Sequence, residues 1–378
     1  MTRTALYWLT HDLRIDDNAA LRAAADADRL LCVYCLDPDW FRPTRFQAKP
    51  LGEHRWRFLC ETLTELNRAL QHYGQRLHVL FQEPVTALGN LIEQYRVDTL
   101  ICSHAVGLDE RQQLEQLKAE QPTLSVIECW THTLFTPEHL PFGREHLQHY
   151  FSTARPACYK DTRNALDGDG GSGFSPWLAN GALSPRQLVA ALRDYEQQRV
   201  ANESTYWLFF ELLWREYFQW YALKYGVGLF RFRGIKTHPP LTSFYAGRYR
   251  QWIEGTTPWP IVNACMKQLA ATGLMGNRGR QLVASCLVNE LGIDWRYGAA
   301  WFQQQLIDHD VASNWGNWQY LAGVGADPRG QRHFDLDKQT RLYDPHGHFI
   351  RHWQGDTGIT ALDSVDCADW PIWPGEQR

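Results

Sequence analysis

No stretch of the chain approaches the run of about twenty apolar residues that a membrane helix requires, so a membrane-spanning role is not expected. Met1 to Thr10 lacks a basic segment followed by an apolar core and a small-residue cleavage site; secretion is not indicated, and a cytoplasmic location is the default expectation. G-x-G-x-x-G and the P-loop are both missing from the first half, which argues against a dinucleotide or triphosphate held there in the usual way. The formal charge of -4 gives no global nucleic-acid signature. Nine cysteines, an odd number, argue against a disulfide framework. The one C-x-x-C, Cys32 to Cys35, lies in LLCVYCLDP, which reads as a strand. Residues three apart on a strand point to opposite faces, so structural thiols are favoured over a zinc site. Internal repeats, low-complexity tracts and coiled-coil heptads are also missing.

What is present is length for two domains, 378 residues, and seventeen tryptophans. The first 135 residues alternate apolar strands at 5–10, 30–38, 76–84, 97–105 and 124–132 with helical stretches, notably 53–73 and 109–120. Such alternation predicts an α/β domain with a parallel, doubly wound sheet, whose ligands gather at the carboxyl ends of the strands. Asp16, Asp17 and Asn18 stand where they can cap the first helix. From about Tyr159 the pattern turns helical, with Ser-Pro helix starts at 175 and 184 and long amphipathic stretches at 202–225, 260–273, 278–291 and 295–308. The expected organisation is an α/β domain over 1–135, a short connection over 136–158, an all-α domain over 159–355 and a tail over 356–378.

The helical half sets polar groups in apolar surroundings. YWLFFELLWREYFQW places Glu211, Trp214 and Arg215 at three- and four-residue spacing. GNRGRQLVASCLVNELG puts Asn277 and Arg280 on one face, continued by Val283, Leu287 and Leu291. DHDVASNWGNWQYLAG packs Asp308, Asp310 and Asn314 among tryptophans, and Arg280 is the natural partner for one of the aspartates. Taken singly, each group also reads as a surface pair or a structural bridge. Gly276, Gly279 and Gly316 beside them suggest close approach of backbone to a ligand. FRFRGIK, 230–236, with Arg248 and Arg250, interleaves cations and aromatics in a way that suits phosphate and base contact, or an ordinary solvated loop. Together these features fit a planar, hydrogen-bonding cofactor in the helical domain.

Over nearly its whole length the chain resembles the photolyase and cryptochrome family, most closely the DASH cryptochromes. The resemblance rests on LYWLTHDLRIDDNAAL and GEHRWRFL in the first half. In the second it rests on YKDTRNALDG, FSPWLANGALSPR, NESTYW, FELLWREYF, ATGLMGNRGRQLVAS, DWRYGAAWF and LIDHDVASNWGNWQYLAGVGADPR. It implies FAD folded into a U within the helical domain. Tyr159, Ser172 and Ser175 match flavin-contacting and phosphate-side positions, where the helix start at Ser175 would also offer backbone N–H groups. Arg215, Asn277, Arg280, Asp308 and Asp310 match ring and ribose contacts, and Asn314 matches the residue facing flavin N5. Trp318 and Trp295 match the inner members of an electron-transfer chain whose outer position holds Thr242, with Phe244, Tyr245 or Tyr249 as substitutes.

By the same resemblance Glu211 would hydrogen-bond a cyclobutane pyrimidine dimer, and Trp214 and Tyr320 would flank it. Asn277 would lie between flavin and dimer, Gln281 would line the pocket, and Arg278 would face a DNA phosphate. The implied substrate is a dimer in single-stranded DNA, where no extrusion from a duplex is needed. Glu110 matches an acidic residue that contacts an antenna pigment, 5,10-methenyltetrahydrofolate. Two departures stand out: LPFGREHLQHYF joins the domains almost directly, and GGSGFS lacks a family lysine before Phe174, which predicts weaker flavin retention. The resemblance thus implies light-driven repair. The alternatives are a blue-light photoreceptor acting through a signalling partner, or a regulatory nucleic-acid-binding flavoprotein; a monomer is the default expectation.

Overall fold

The structure, a computed structural model, describes residues 3–131, 145–166, 170–327 and 332–363. Residues 132–144, which include the first nine of the expected connection, and residues 364–378 of the expected tail lie outside these residues. Five parallel strands, β1 (Thr4–Leu9), β2 (Arg29–Leu36), β3 (Leu77–Phe81), β4 (Thr99–Ser103) and β5 (Ser125–Cys129), form one sheet in the order β3-β2-β1-β4-β5. Helices α1 (Ala19–Ala24), α2 (Glu53–Gln71), α3 (Pro84–Tyr95) and α4 (Leu108–Glu120) are the crossovers. Alternation on β1 sends Tyr7 and Leu9 into one apolar layer with α2, and Leu6 and Trp8 into the other with α3 and α4. Cys32 and Cys35 divide between the same two layers, as their spacing requires, and burial pushes their thiols up to about 11 and about 12.

The remainder is helical: α5 (Glu145–Ser152), α6 (Arg155–Thr162), α7 (Ser175–Ala179), α8 (Pro185–Gln198), α9 (Glu203–Tyr225), α10 (Ala246–Glu254), α11 (Pro260–Thr272), α12 (Asn277–Ser285), α13 (Trp295–Gln305), α14 (Val311–Leu321), α15 (Leu336–Tyr343) and α16 (His348–His352). Ser184 caps α8 in a full capping box with Gln187, with Pro185 at the first helical position. Asn202 caps α9 reciprocally with Thr205. The apolar stretch predicted over 278–291 is not one helix. It is regular to Ser285 and widens into a π-turn over Cys286–Glu290, while Val283, Leu287 and Leu291 are all fully buried. Trp252, Trp295 and Trp318 are the largest fully buried side chains of the helical core.

The strand order reverses between β1 and β4, and there a buried polar network replaces an open crevice. Asp12, wholly buried, accepts from the Tyr7 and Ser103 hydroxyls, and Thr131 donates to Ser103 Oγ at 2.6 Å. Beside it Arg14 donates to the carbonyls of Thr131 at 2.6 Å and Gly181 at 2.7 Å, tying the sheet to the turn before α8. Of Asp16, Asp17 and Asn18 after β1, only Asn18 caps α1, accepting from Leu21 N at 2.9 Å. Asp17 instead bridges to the helical region, accepting from Arg186 at 3.1 Å and from the Ser184 hydroxyl. Capping therefore does not explain Asp17; a charge so enclosed needs a cation, and the docked helix supplies it.

Gly181 shows how close that docking is: its φ is +77°, and a Cβ there would lie 1.8 Å from His11 O. Gly74 has a similar φ, +70°, with nothing near. Gly74→Ala should therefore cost about 1 kcal/mol, the backbone term alone. Gly181→Ala should cost distinctly more and lower the thermal midpoint by a larger amount in circular-dichroism melts. Equal losses from the two substitutions would refute the close-packed junction.

Candidate functional site

Helices α9, α12 and α14 bring the predicted polar residues together. The Asp310 side chain accepts Ser313 N at 2.7 Å, capping α14, and accepts Gln219 Nε2 of α9 on both oxygens at 3.0 and 2.9 Å. Arg215, one turn before Gln219, stands 3.8 Å from Asp310 Oδ2 and donates to Leu178 O at 3.3 Å. Burial opposes ionisation of Asp310, yet Arg215 and the donors from Ser313 and Gln219 hold its carboxyl below the usual range. Arg280, expected to pair with one of the aspartates, pairs with Asp308 at 2.7 Å, and its Nε donates to Met275 O at 2.8 Å. Asn314 donates to Ala299 O at 2.9 Å, and its Oδ1 takes no hydrogen bond from the described residues.

Glu211 does not pair with Arg215 across one helical turn. Its Oε1 accepts from Arg163, beyond the end of α6, while Arg215 turns to Asp310. Tyr159 of α6 lies close to Glu211; burial and that carboxylate push its hydroxyl up to about 12. Trp214, 38% exposed, meets Tyr320 edge-on at 6.3 Å, and the two line a cleft with Tyr217, Phe218, Tyr221, Gly316 and Ala326. Arg332 covers the Tyr320 ring at 4.7 Å and donates to its hydroxyl. Asn277 is exposed at the start of α12, and Arg278 lies over the ring of Tyr343 at 4.8 Å. Ser172 is half-buried and Ser175 exposed; α7 is only five residues long, so its dipole is slight.

Trp318 meets Trp252 at 6.2 Å and Phe302 at 5.1 Å, whereas Trp295 meets Trp315 at 5.8 Å and donates to Phe232 O at 2.9 Å. Thr242 is buried. Phe244, Tyr249 and Tyr297 form an aromatic cluster against Trp252, with Tyr249 and Trp252 stacked at 6.2 Å. Glu110 stands apart from this group, at the carboxyl edge of the sheet, 3.3 Å from His11.

Two expectations need correction. Positions 276, 279 and 316 do approach closely, but to protein: a Cβ on Gly316 would lie 2.3 Å from the Phe218 ring, on Gly279 2.9 Å from Met275 Cγ, and on Gly276 3.2 Å from Ala165 O. In FRFRGIK the aromatics point inward, Phe230 onto Trp315 at 4.9 Å and Phe232 beneath Arg296 at 5.0 Å; only the cations face solvent. Arg248, further on, pairs with Asp363 at 2.7 Å. The roles of Arg163, Gln219 and Arg332 were not legible, because their partners lie on other elements.

Asp308 Oδ1 and Gln281 Oε1 are buried without a hydrogen-bond partner. Orphaned acceptors are costly unless something donates to them. Arg280, paired to Asp308, and the open Oδ1 of Asn314 on α14 add a donor and an acceptor of the kinds that fit the polar edges of a flavin dinucleotide. Among the described residues no group of side chains could hold a metal ion, and no helix is long and apolar enough to cross a membrane.

Residues 207–358 match the profile of the FAD binding domain of DNA photolyase, and residues 5–168 match that of DNA photolyase. Cryptochrome DASH of Vibrio parahaemolyticus is 46% identical over 439 aligned positions, covering 98% of this chain and 97% of the relative. The chain belongs to the photolyase and cryptochrome family. The crystal structure of the Synechocystis sp. PCC6803 cryptochrome superposes with a TM-score of 0.86 at 35% identity, covering 93% of this chain and 88% of that one. A class III photolyase from Agrobacterium tumefaciens, 24% identical and covering 93% of this chain and 86% of that one, shares the fold with a TM-score of 0.80.

His309 and His11 give the junction opposed pH responses. Burial, with Arg55 and His11 nearby, holds His309 well below its ordinary 6.5 despite Asp310. His11 also loses solvation, yet Glu110 lifts its imidazole above that value. A depressed histidine loses stability as pH falls through 6.5, because the unfolded chain takes up the proton first; a raised one contributes stability below 6.5 and loses it as pH rises through its folded value. Across pH 5 to 8, His309→Asn should flatten the acid side of the urea midpoint profile and His11→Asn should steepen it. Parallel changes in both variants would contradict this placement.

Proposed function

We propose that the protein binds FAD within its helical region and uses blue light to repair cyclobutane pyrimidine dimers in single-stranded DNA. The observation that carries the reading is the set of unsatisfied buried acceptors, Asp308 Oδ1 and Gln281 Oε1, next to Arg280 and Asn277 and in the same bundle as the cleft of Trp214 and Tyr320. Arg215, Arg280, Asp308, Asp310 and Asn314 would hold the ring and ribose side of the cofactor. Tyr159, Ser172 and Ser175 would serve its phosphate side, without the family lysine. When bound, FAD supplies the electron that light transfers to the dimer and later takes back.

The chain's own residues do the rest. Trp214 and Tyr320 offer an edge-on pair of aromatic walls, suited to flanking the two linked pyrimidine rings of a dimer and to excluding water from them. Glu211, anchored by Arg163, would accept hydrogen bonds from the bases through Oε2. Asn277 would stand between cofactor and dimer, Gln281 would line the pocket, and Arg278 would meet a phosphate. Trp318 and Trp295 would feed electrons inward, with the cluster of Phe244, Tyr249 and Tyr297 standing in where Thr242 breaks the outer step. Glu110 would contact a methenyltetrahydrofolate antenna at the sheet edge, its charge steadied by His11.

A second reading, a photoreceptor without repair, is favoured by one observation: Glu211 is already engaged by Arg163. Illuminating the reduced protein with dimer-containing oligo(dT) and following recovery of thymine absorbance separates the two. Repair should proceed on the single strand and fall by roughly five- to 150-fold in Trp214→Ala, which loses about 1–3 kcal/mol of stacking. Glu211→Ala should lower repair far more than FAD content. An unresponsive single strand with flavin bound and reduced would remove the repair reading and leave the photoreceptor.

A further inference from the structure

The cationic turn after α9 is used by neither the cofactor nor the dimer. Phe230 and Phe232 pack against the core, while Arg231, Arg233 and Lys236 on the same turn are exposed. Among the described residues none of the three has a carboxylate within ion-pair distance. Neighbouring arginines differ: Arg248, Arg296 and Arg332 are each matched to an aspartate at 2.7, 2.6 and 2.6 Å. Three adjacent cations without counter-charge repel one another, a cost that an anionic ligand would relieve.

The turn is also rigid and joined to the aromatic cleft. Gln319, wholly buried on α14, donates to the carbonyls of Gly228 and Leu229 at 2.9 Å each, and accepts from the hydroxyl of Tyr221, which lines the cleft. Ile235 N donates to Val324 O at 3.0 Å. Gly234, at φ +55°, lies so close to Val324 that a Cβ would stand 2.3 Å from its carbonyl oxygen. The cations are thus held at a fixed position relative to Tyr320 and Trp214. Tyr217 of α9, 41% exposed, adds a further aromatic surface to the lining of that cleft.

We infer that Arg231, Arg233 and Lys236 form a phosphate track for the single strand flanking the cleft, so that bases stack on the aromatic wall while the backbone runs along the turn. The inference rests on the single-stranded DNA reading above and extends it to undamaged nucleotides beyond the lesion. A folded duplex exposes no base faces, so the pairing of exposed rings with unpaired cations favours a single strand.

The test needs no light and no lesion. Binding of undamaged oligo(dT) of about sixteen nucleotides, and of about five, is titrated against salt with the holoprotein, spanning the usual site sizes. Each phosphate contact contributes about -0.7 to the slope of log affinity against log salt on a single strand. Replacing Arg231, Arg233 and Lys236 together with alanine should make the long-strand slope shallower by about 2, with the five-nucleotide strand little changed and flavin content unchanged. The same charge removed from the sheet side, Arg57, Arg68 and Arg76 to alanine, should leave the long-strand slope where it was. If wild type binds the long strand and the turn variant keeps its slope, or both variants lose slope equally, the track is refuted and the parent reading stands. If wild type binds neither undamaged strand, the track is refuted, and the repair reading is decided separately by the dimer-containing strand.

Discussion

The site depends on one carboxylate stripped of water. Asp310 caps α14, grips Gln219 of α9 with both oxygens and faces Arg215 one turn away. A buried charge without such partners would be several kcal/mol unfavourable, so α14 has one rotational setting at which the carboxylate is satisfied. That setting fixes Asn314, Trp318 and Tyr320 one, two and nearly three turns along the helix. On α9 it equally fixes Glu211 and Trp214, which precede Arg215 on neighbouring faces. The two helices that carry most of the candidate site are thereby locked by polar bonding. Packing of Gly316 against Phe218 then closes the gap between them, and Gly298 of α13 packs as closely on Trp318 from the other side.

The sheet acts on this site from outside. Its switch point, where an open α/β sheet would take a ligand, is filled by Asp12, Tyr7, Ser103 and Arg14, and the guanidinium projects across the junction instead. A crevice that serves binding in other sheets of this topology here serves docking. The electrostatics follow: burial and Arg55 of the α/β half hold His309, next in sequence to both site aspartates, well below its ordinary pKa, while Glu110 lifts that of His11 opposite it. Proximity of two imidazoles with opposite preferences keeps their mutual repulsion small at neutral pH.

Elements set by local pattern were readable from the residues alone. The five strands follow from short apolar runs, α8 from Ser184, Pro185 and Gln187, and the Arg280–Asp308 pair from the rule that a charge in apolar surroundings needs a partner. What stayed hidden depends on contacts far apart in the chain. Asp17 has the sequence context of a cap and the tertiary context of a bridge. Gln219 finds Asp310 across 91 residues, and no local spacing announces it. The glycines were correctly sensed as close approaches, but sequence gives no means of telling an approaching ligand from an approaching phenylalanine. The π-turn over Cys286–Glu290 is likewise invisible to periodicity, because its residues are as apolar as a continuing helix would need.

The pairing of Glu211 with Arg163 weighs less against repair than it first suggests. A carboxylate offers about four acceptor positions on two oxygens. Arg163 engages Oε1, and Oε2 takes no hydrogen bond from the described residues. The Arg163 guanidinium also limits the rotamers of the carboxylate, so a donor arriving at Oε2 meets an acceptor already in position. Removing Arg163 would therefore free Glu211 in space while weakening it as an acceptor, the opposite of what competition for the same oxygen would do. The ion pair is better understood as support for the residue than as occupation of it, and the geometry that seemed to favour a silent photoreceptor is compatible with a carboxylate made ready for a base.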